Sequence, residues 1–154
     1  MGKYWLMKTE PLVYSIDDLK RDKVTSWEGV RNYAARNNMQ AMSVGDQVLI
    51  YHSNAAPPGV AGVAKVAKAA YPDHFAWNKK SRHFDEKSPE EKPRWFMVDV
   101  KFVKKLAKPV GLDEIKSTAA LKEMVLVKQG RLSVQPVTKK EFDKILNMGV
   151  AGGG

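Results

Sequence analysis

The sequence predicts an α+β domain in which short helices flank a curved, mainly antiparallel β-sheet or small barrel. The predicted elements follow the order strand, helices, successive strands, short helical turns, strand and helix, which fits neither a doubly wound parallel sheet nor a helix bundle. Gly62 lies among the small residues of 60–71, where a glycine indicates a bulge or a close backbone approach, as a tightly curved sheet requires. Apolar side chains alternate with period two from Phe96 to Phe102, which predicts a core strand.

The first half of the chain is predicted to hold two helices and two strands. Aromatic and apolar residues over 3–9 predict a short buried strand that ends before Pro11. A capping-box pattern that begins at Ser15 predicts a short helix to about residue 21. The spacing of apolar residues predicts a second helix over 30–42, and 47–54 has the clearest strand pattern of this half.

The second half contains the least regular segment of the chain. Residues 72–93 carry aromatic and basic side chains without periodicity, which predicts a long excursion between strands. Short helical turns are expected over 112–124, and an extended segment is expected over 131–137. A capping box at 138–141 opens a final helix, which Gly149 can end.

The length and the absence of a linker indicate one domain. A chain of 154 residues buries about two-thirds of its unfolded surface, enough for one core. We therefore expect a single domain over residues 3–148 and a frayed tail over 149–154. No window approaches the roughly 20 apolar residues that a membrane helix needs, so we expect no membrane partner.

Positive charge is in clear excess. The chain has 26 Lys and Arg residues against 17 Asp and Glu residues, which gives a net charge of +9. Residues 79–154 contribute most of it, with 17 basic and 10 acidic residues and hence a net charge of +7. Such a charge favours polyanionic partners, nucleic acid or acidic membrane surfaces among them. The absence of cysteine excludes disulfides and thiolate zinc sites, including the zinc site of base deaminases.

The sequence contains no recognisable catalytic motif. Ser53 is only the chain neighbour of His52, and adjacent side chains of a strand point to opposite faces, so a hydrolase triad is disfavoured. The segment 59–62 matches neither the dinucleotide fingerprint nor the Walker loop. The three histidines, at positions 52, 74 and 83, have no metal-ligand spacing. Nothing in these residues demands catalysis, and we expect no metal and no cofactor.

The stretch 25–33 is the strongest candidate for a binding site. It combines two aromatic residues, a glycine, an arginine and an amide, and Trp27 on a loop offers a flat face for stacking. The spacing alone also fits an alternative in which these residues only pack the core and cover the surface. The set suited to a nucleobase consists of Trp27 and Tyr33 for stacking, His52, Ser53 and Asn54 for hydrogen bonds to the base edge, and Lys8, Arg31 and Arg131 for negative charge.

Five short segments follow one another along the chain: WLMKTEP (5–11), WEGVRN (27–32), YHSN (51–54), GVAG (59–62) and RLSVQPV (131–137). Together they resemble the successive motifs of the EVE domain family over about residues 3–148. The resemblance implies a PUA-like fold, which is a bent antiparallel β-barrel of five to six strands with flanking short helices. It also implies a non-catalytic reader of a modified base, 5-methylcytosine or a related base, held in an aromatic pocket.

The residue pattern and the family resemblance together imply roles for individual residues. Trp27 is expected to stack on the base, and the edge is read by Asn32, His52 and Ser53. The expected contacts to phosphate, or the residues that close the pocket, are Lys8, Arg31 and Arg131. We expect Trp27→Ala to abolish base binding and to leave the melting temperature within a few degrees. The expected protein is a monomer that binds modified DNA or RNA in the cytoplasm, or in the nucleus of a eukaryotic cell.

The other tryptophans receive structural roles. Trp5 and Trp95 lie within apolar strand patterns and are assigned to the core, whereas Trp77 fits either a nucleic-acid surface or the packing of the long excursion. Two alternative functions stay open. One is an enzyme that acts on a nucleotide or RNA with His52 as general base. The other is a protein adaptor that docks an acidic partner on a basic face containing Lys79, Lys80 and Arg82.

Overall fold

The computed structural model describes residues 2–150, which form a six-stranded mixed sheet with helices on both faces. The strands are β1 (Tyr4–Thr9), β2 (Val24–Ser26), β3 (Gln47–His52), β4 (Gly59–Pro72), β5 (Phe96–Gly111) and β6 (Val134–Val137). Their order across the sheet is β2-β5-β4-β3-β1-β6. Every neighbouring pair is antiparallel except β1 and β3, which are parallel. The predicted α+β class and the mainly antiparallel sheet are therefore confirmed.

Five short α-helices flank the sheet: α1 (Ile16–Asp22), α2 (Tyr33–Gln40), α3 (Leu112–Lys116), α4 (Val125–Lys128) and α5 (Lys139–Met148). Capping boxes begin α1 and α5 at the two positions where the sequence predicts them, Ser15 and Thr138. Helix α2 begins three residues later than predicted. The side chain of Asn32 accepts a hydrogen bond from the Ala35 N–H at 2.9 Å, so Asn32 is the N-cap and the residues before it belong to a loop.

The curvature of the sheet comes from its two longest strands. β4 has 14 residues and β5 has 16, and their pairing shifts register at several points, which bends and twists both strands. A Cβ atom at Gly62 would lie 2.5 Å from the Ile16 side chain and 2.7 Å from the Lys104 carbonyl oxygen. The predicted close approach at Gly62 is confirmed, because only a glycine lets α1 and β5 approach this strand so closely.

Within residues 2–150 the predicted bent β-barrel is an open, curved sheet, with β2 and β6 at opposite edges. Both edge strands are short, and Pro136 in β6 has no N–H with which to continue the ladder. An edge of this kind cannot pair with a distant strand over the length that closure needs.

Each face of the sheet has its own core, because successive side chains of a strand point to opposite faces. In β1, Trp5 and Met7 pack with α1, α2 and Trp27 on one face. Leu6 packs with residues from β5 and with α3, α4 and α5 on the other face. The predicted place of Trp5 in the core is confirmed, and its indole N–H donates to the buried Asp46 carboxylate at 2.9 Å.

The end of the described chain is tied to the sheet. Gly149 is buried, and its carbonyl oxygen accepts a hydrogen bond from the Lys108 N–H at 3.1 Å. Most of the predicted frayed tail, residues 151–154, lies outside the described residues. None of the helices within residues 2–150 combines the length and the apolar character needed to cross a membrane.

Candidate nucleic-acid interface

A cleft of about 700 Å³ opens at the carboxyl ends of the parallel strands β1 and β3. Five segments of the chain meet there: the end of β1 with the turn after it, β2 with the loop that follows, the residue after β3, one part of the excursion between β4 and β5, and the loop before β6. Its lining includes Lys8, Glu10, Tyr14, Trp27, Glu28, Arg31, Ser53, Arg82, His83, Arg131 and Ser133.

Trp27 is at once a core residue and part of the cleft wall. Trp27 belongs to the core cluster and is only 9% exposed. The backbone N–H of Trp27 donates to the Val98 carbonyl oxygen at 2.8 Å, so the chain continues from β2 alongside β5. Tyr14 packs edge-on against the indole, with ring centroids 6.4 Å apart and planes at 87°. Trp27 is thus a rigidly held aromatic residue that lines the cleft.

A buried carboxylate fixes the loop that carries Trp27. Asp73 has a fully buried side chain that accepts hydrogen bonds from the Gly29 N–H at 2.8 Å and from Arg31 Nη1 at 3.0 Å. Arg31 Nη2 also donates to the His83 carbonyl oxygen at 2.6 Å. Asp73 and Arg31 therefore join the loop 27–32 to the excursion 73–95. Asp73 is absent from the site predicted by sequence, although an Asp after Pro72 at the start of a 3₁₀ turn is a recognisable capping signal.

His83 closes one side of the cleft by packing on Gly29. Gly29 has a φ of +84°, and a Cβ atom there would lie 2.3 Å from the His83 ring. Only glycine fits both the backbone conformation and the contact. Burial, together with the positive charges of Arg82 and Arg31, lowers the pKa of His83, so the ring is neutral at pH 7. The sequence pattern predicts neither His83 nor Arg82 as part of the site.

Four cationic side chains surround the cleft: Lys8, Arg31, Arg82 and Arg131. Lys8 Nζ contacts the Gly130 carbonyl oxygen and lies 5.4 Å from the centre of the Tyr51 ring. Partial burial lowers the pKa of Lys8. Arg82 and Arg131 are exposed at the rim. Cations at the mouth of a cleft suit the phosphates of a bound nucleotide chain.

The structure brings five of the predicted site residues together in this cleft: Lys8, Trp27, Arg31, Ser53 and Arg131. They come from four separate parts of the chain. Ser53 is positioned because its N–H donates to the Thr9 carbonyl oxygen at 2.9 Å, which continues the parallel pairing of β1 with β3.

The other four predicted residues hold the surrounding elements. Asn32 caps α2, as described above. The Tyr33 ring stacks on Trp95 at 5.0 Å with planes at 24°, and Asn54 donates to a Glu10 carboxylate oxygen at 2.7 Å. None of these three side chains lines the cleft within the described part of the chain. The fourth residue, His52, also lies outside the lining of the cleft.

His52 has a structural partner. Its Nε2 atom accepts a hydrogen bond from the Ile16 N–H at 3.0 Å, which requires the neutral ring and anchors the start of α1. Burial is the main reason that the pKa of His52 is lowered. The nitrogen lone pair that a general base would use is thereby occupied, which disfavours the enzyme hypothesis.

We expect the hydrogen bond between the Ile16 N–H and His52 to make the protein less stable at acidic pH. An unfolded histidine titrates near pH 6.5, and the folded pKa is lower, so the stabilisation is complete above about pH 6.5 and is lost as pH falls through the folded pKa. His52→Gln retains an acceptor without a titrating group. Thermal denaturation between pH 7 and pH 5 should therefore show a smaller loss of melting temperature in His52→Gln than in the wild type. Equal losses in the two proteins would contradict this role.

The remaining tryptophans support the excursion. Trp95 is buried, as predicted, and its indole N–H donates to Asp85 at 2.6 Å. The guanidinium carbon of Arg31 lies 5.5 Å from the centre of the Trp95 ring. Trp77 is half-buried with an enclosed indole nitrogen, which favours packing of the excursion over a nucleic-acid contact.

Known proteins resemble this chain over nearly its whole length. A family model described as "EVE domain" matches residues 3–148. Human thymocyte nuclear protein 1 is 42% identical over 167 aligned residues, which cover 96% of this chain and 74% of that protein. A solved structure of a hypothetical protein from Leishmania major is 54% identical, with a TM-score of 0.94, and the match covers 97% of this chain and 95% of that one.

A further solved structure contains nucleic acid. The human THYN1 protein in complex with 5-methylcytosine-containing DNA is 42% identical to this chain, with a TM-score of 0.92. The match covers 96% of this chain and 98% of that chain. The similarity to these structures confirms the PUA-like architecture that the sequence motifs imply.

Proposed function

Because the chain belongs to the EVE domain family, we propose that it is a non-catalytic reader of a modified base in nucleic acid. The base is 5-methylcytosine or a related modified cytosine, held in the cleft against Trp27. In this proposal Trp27 stacks on the base, Ser53 bonds to its edge, and Lys8, Arg31 and Arg131 contact phosphate or close the pocket. The four predicted residues outside the cleft, Asn32, Tyr33, His52 and Asn54, position its walls.

One arrangement carries this proposal: Trp27 lines a cleft of about 700 Å³ that four cations surround. Stacking a base on an aromatic ring contributes about 1–3 kcal/mol, and neighbouring cations hold the phosphates without reading sequence. The volume lies within the usual range of ligand pockets. The human relative solved with 5-methylcytosine-containing DNA supports both the class of ligand and DNA as the first polymer to test.

A base that stays paired in a duplex cannot stack on Trp27. A base paired within double-stranded DNA exposes only its edges, so it must leave the stack before its face can meet Trp27. Unpairing costs a few kcal/mol, and single-stranded DNA avoids that cost. We therefore expect the base preference to be measured most simply on single strands. The protein is proposed to act as a monomer where its nucleic acid lies, in the cytoplasm or, in a eukaryotic cell, in the nucleus.

Binding of short single-stranded oligonucleotides tests the proposal. DNA and RNA strands that differ only in one central base, cytosine, 5-methylcytosine or an oxidised form, are titrated into the wild-type protein at near-physiological salt. One modified base should bind about fourfold more tightly than cytosine, because burying one methyl group contributes about 0.8 kcal/mol. Weak and equal binding of every strand would overturn the proposal and favour the adaptor hypothesis.

Arg131 should affect affinity without affecting the choice of base. Arg131 is exposed at the rim of the cleft, so Arg131→Ala is expected to lower the affinity for every oligonucleotide by the same factor. The slope of log affinity against log salt should fall by about 0.7, the value for one contact to a single strand. Lys140→Ala, which removes an exposed cation from α5, is the matched control and should leave the slope unchanged. An unchanged slope in Arg131→Ala would remove Arg131 from the interface.

A further inference from the structure

A carboxylate that lines a cationic cleft requires an explanation, because it repels the phosphates that the cations attract. Glu28 lines the cleft directly after Trp27 in the chain, and its side chain is half-buried. The Ser26 hydroxyl donates to Glu28 Oε2 at 2.8 Å, which holds the carboxylate in place. Glu10, the other carboxylate of the cleft, is exposed and accepts from the Asn54 amide.

Glu28 keeps unused capacity to accept hydrogen bonds. Within residues 2–150, Ser26 is its hydrogen-bond donor, and no cation lies within salt-bridge distance of it. Arg31, the cation three residues away, is engaged by Asp73 and by the His83 carbonyl. An ionised carboxylate has about four acceptor positions, so one oxygen remains for a ligand that donates.

A pocket for 5-methylcytosine has to solve a specific problem, which is the rejection of thymine. Both bases carry the same methyl group at C5, and both stack on an indole. They differ at position 4, where cytosine has an amino donor and thymine has a carbonyl acceptor, and at N3. Neither Trp27 nor an apolar contact to the methyl group separates them. A fixed acceptor opposite position 4 does, since carboxylates accept from the cytosine amino group.

We propose that Glu28 determines the specificity of this cleft by accepting a hydrogen bond from the N4 amino group of the bound cytosine, so that thymine is excluded. The inference rests on the proposed reading of a modified cytosine and adds the residue that recognises the ring as cytosine. Thymine would place its O4 atom against the Glu28 carboxylate and leave two acceptors facing each other. Ser26 acts as the positioning residue, because its hydroxyl fixes the carboxylate beside Trp27.

The substitution Glu28→Gln tests this role with little change in shape. Glutamine still accepts from Ser26 through its carbonyl oxygen, and it can turn an amide N–H toward the O4 atom of thymine. The matched control is Glu123→Gln, which removes the same negative charge from an exposed position paired with Lys128, outside the cleft. Thermal denaturation of both variants establishes that they are folded.

The measurement is the affinity of single-stranded DNA oligonucleotides that differ only in a central 5-methylcytosine, cytosine or thymine. The wild type and Glu123→Gln are expected to bind 5-methylcytosine about ten- to a hundredfold more tightly than thymine, the discrimination of one well-placed polar pair. Glu28→Gln should reduce this ratio at least tenfold, with weaker binding of 5-methylcytosine and tighter binding of thymine.

Two other results would separate a failure of the Glu28 role from a failure of the reader function. A wild type that prefers 5-methylcytosine over both other bases, with the same ratio in Glu28→Gln, would overturn the role of Glu28 and leave the reader function standing. A wild type without any preference among the three bases would overturn the reader function itself, and with it the inference.

Discussion

Replacing Trp27 with alanine is expected to remove the preference for a modified base and also to lower the free energy of unfolding by about 3 kcal/mol or more. The first effect follows from the loss of the stacking face in the cleft. The second follows from burial, since Trp27 is only 9% exposed and packs in the core with residues of α1 and α2. The sequence-based expectation that the melting temperature stays within a few degrees is therefore replaced by a substantial loss.

Two companion variants separate binding from stability. Trp5→Ala removes a tryptophan that is 4% exposed from the same core cluster but not from the cleft, so it should lose comparable stability and keep the base preference. Trp27→Phe retains an aromatic face, so it should keep part of the stability and part of the base preference. Oligonucleotide titrations at a temperature where each variant is folded provide the comparison. If Trp27→Ala keeps the preference of the wild type, Trp27 is a core residue alone.

Replacing Arg31 with methionine is expected to cost about 3 kcal/mol of stability, which corresponds to roughly 6–12 °C in melting temperature. Methionine retains the length of the side chain but leaves the buried Asp73 carboxylate without its cationic partner. It also removes the hydrogen bond to the His83 carbonyl, which holds one wall of the cleft. Binding should weaken together with stability. Thermal denaturation and oligonucleotide titration measure the two effects.

The matched control for Arg31 is Arg21→Met. Arg21 pairs with Asp18 and Asp22 on the exposed side of α1, where water screens the charges, so its replacement should leave the melting temperature unchanged within error. Equal melting temperatures for Arg31→Met and the wild type would show that Asp73 does not depend on this ion pair. The excursion 73–95 would then need another anchor.

Local signals in the sequence were sufficient for much of the fold. The capping boxes at Ser15 and Thr138 depend on residues three positions apart, and the core strand around Val98 shows its period directly. Gly62 indicates the close approach of two elements because no other residue has so little bulk. Local signals of this kind could not predict whether the sheet closes into a barrel. Closure depends on whether the two edge strands are long enough to meet, and β2 has only three residues.

The candidate site was harder to predict because its contacts join distant parts of the chain. Asp73 lies 42 residues from Arg31, and no local pattern links them. Asn32 and His52 are polar residues of the types that read bases, yet backbone N–H groups at the starts of α2 and α1 take their acceptor atoms. A residue type predicts what a side chain can bind, whereas its neighbours in space decide what it does bind.

The most direct test of the Trp27 cleft as the base pocket is an NMR measurement on the wild-type protein with a single-stranded oligonucleotide that carries a ¹³C-labelled methyl group on 5-methylcytosine. Stacking on Trp27 predicts an upfield shift of that methyl resonance on binding, with nuclear Overhauser contacts to the indole protons and perturbed amide signals at Gly29 and Ser53. A methyl resonance that does not move while the oligonucleotide binds, with perturbed amides confined to other surfaces, would contradict the assignment of the cleft.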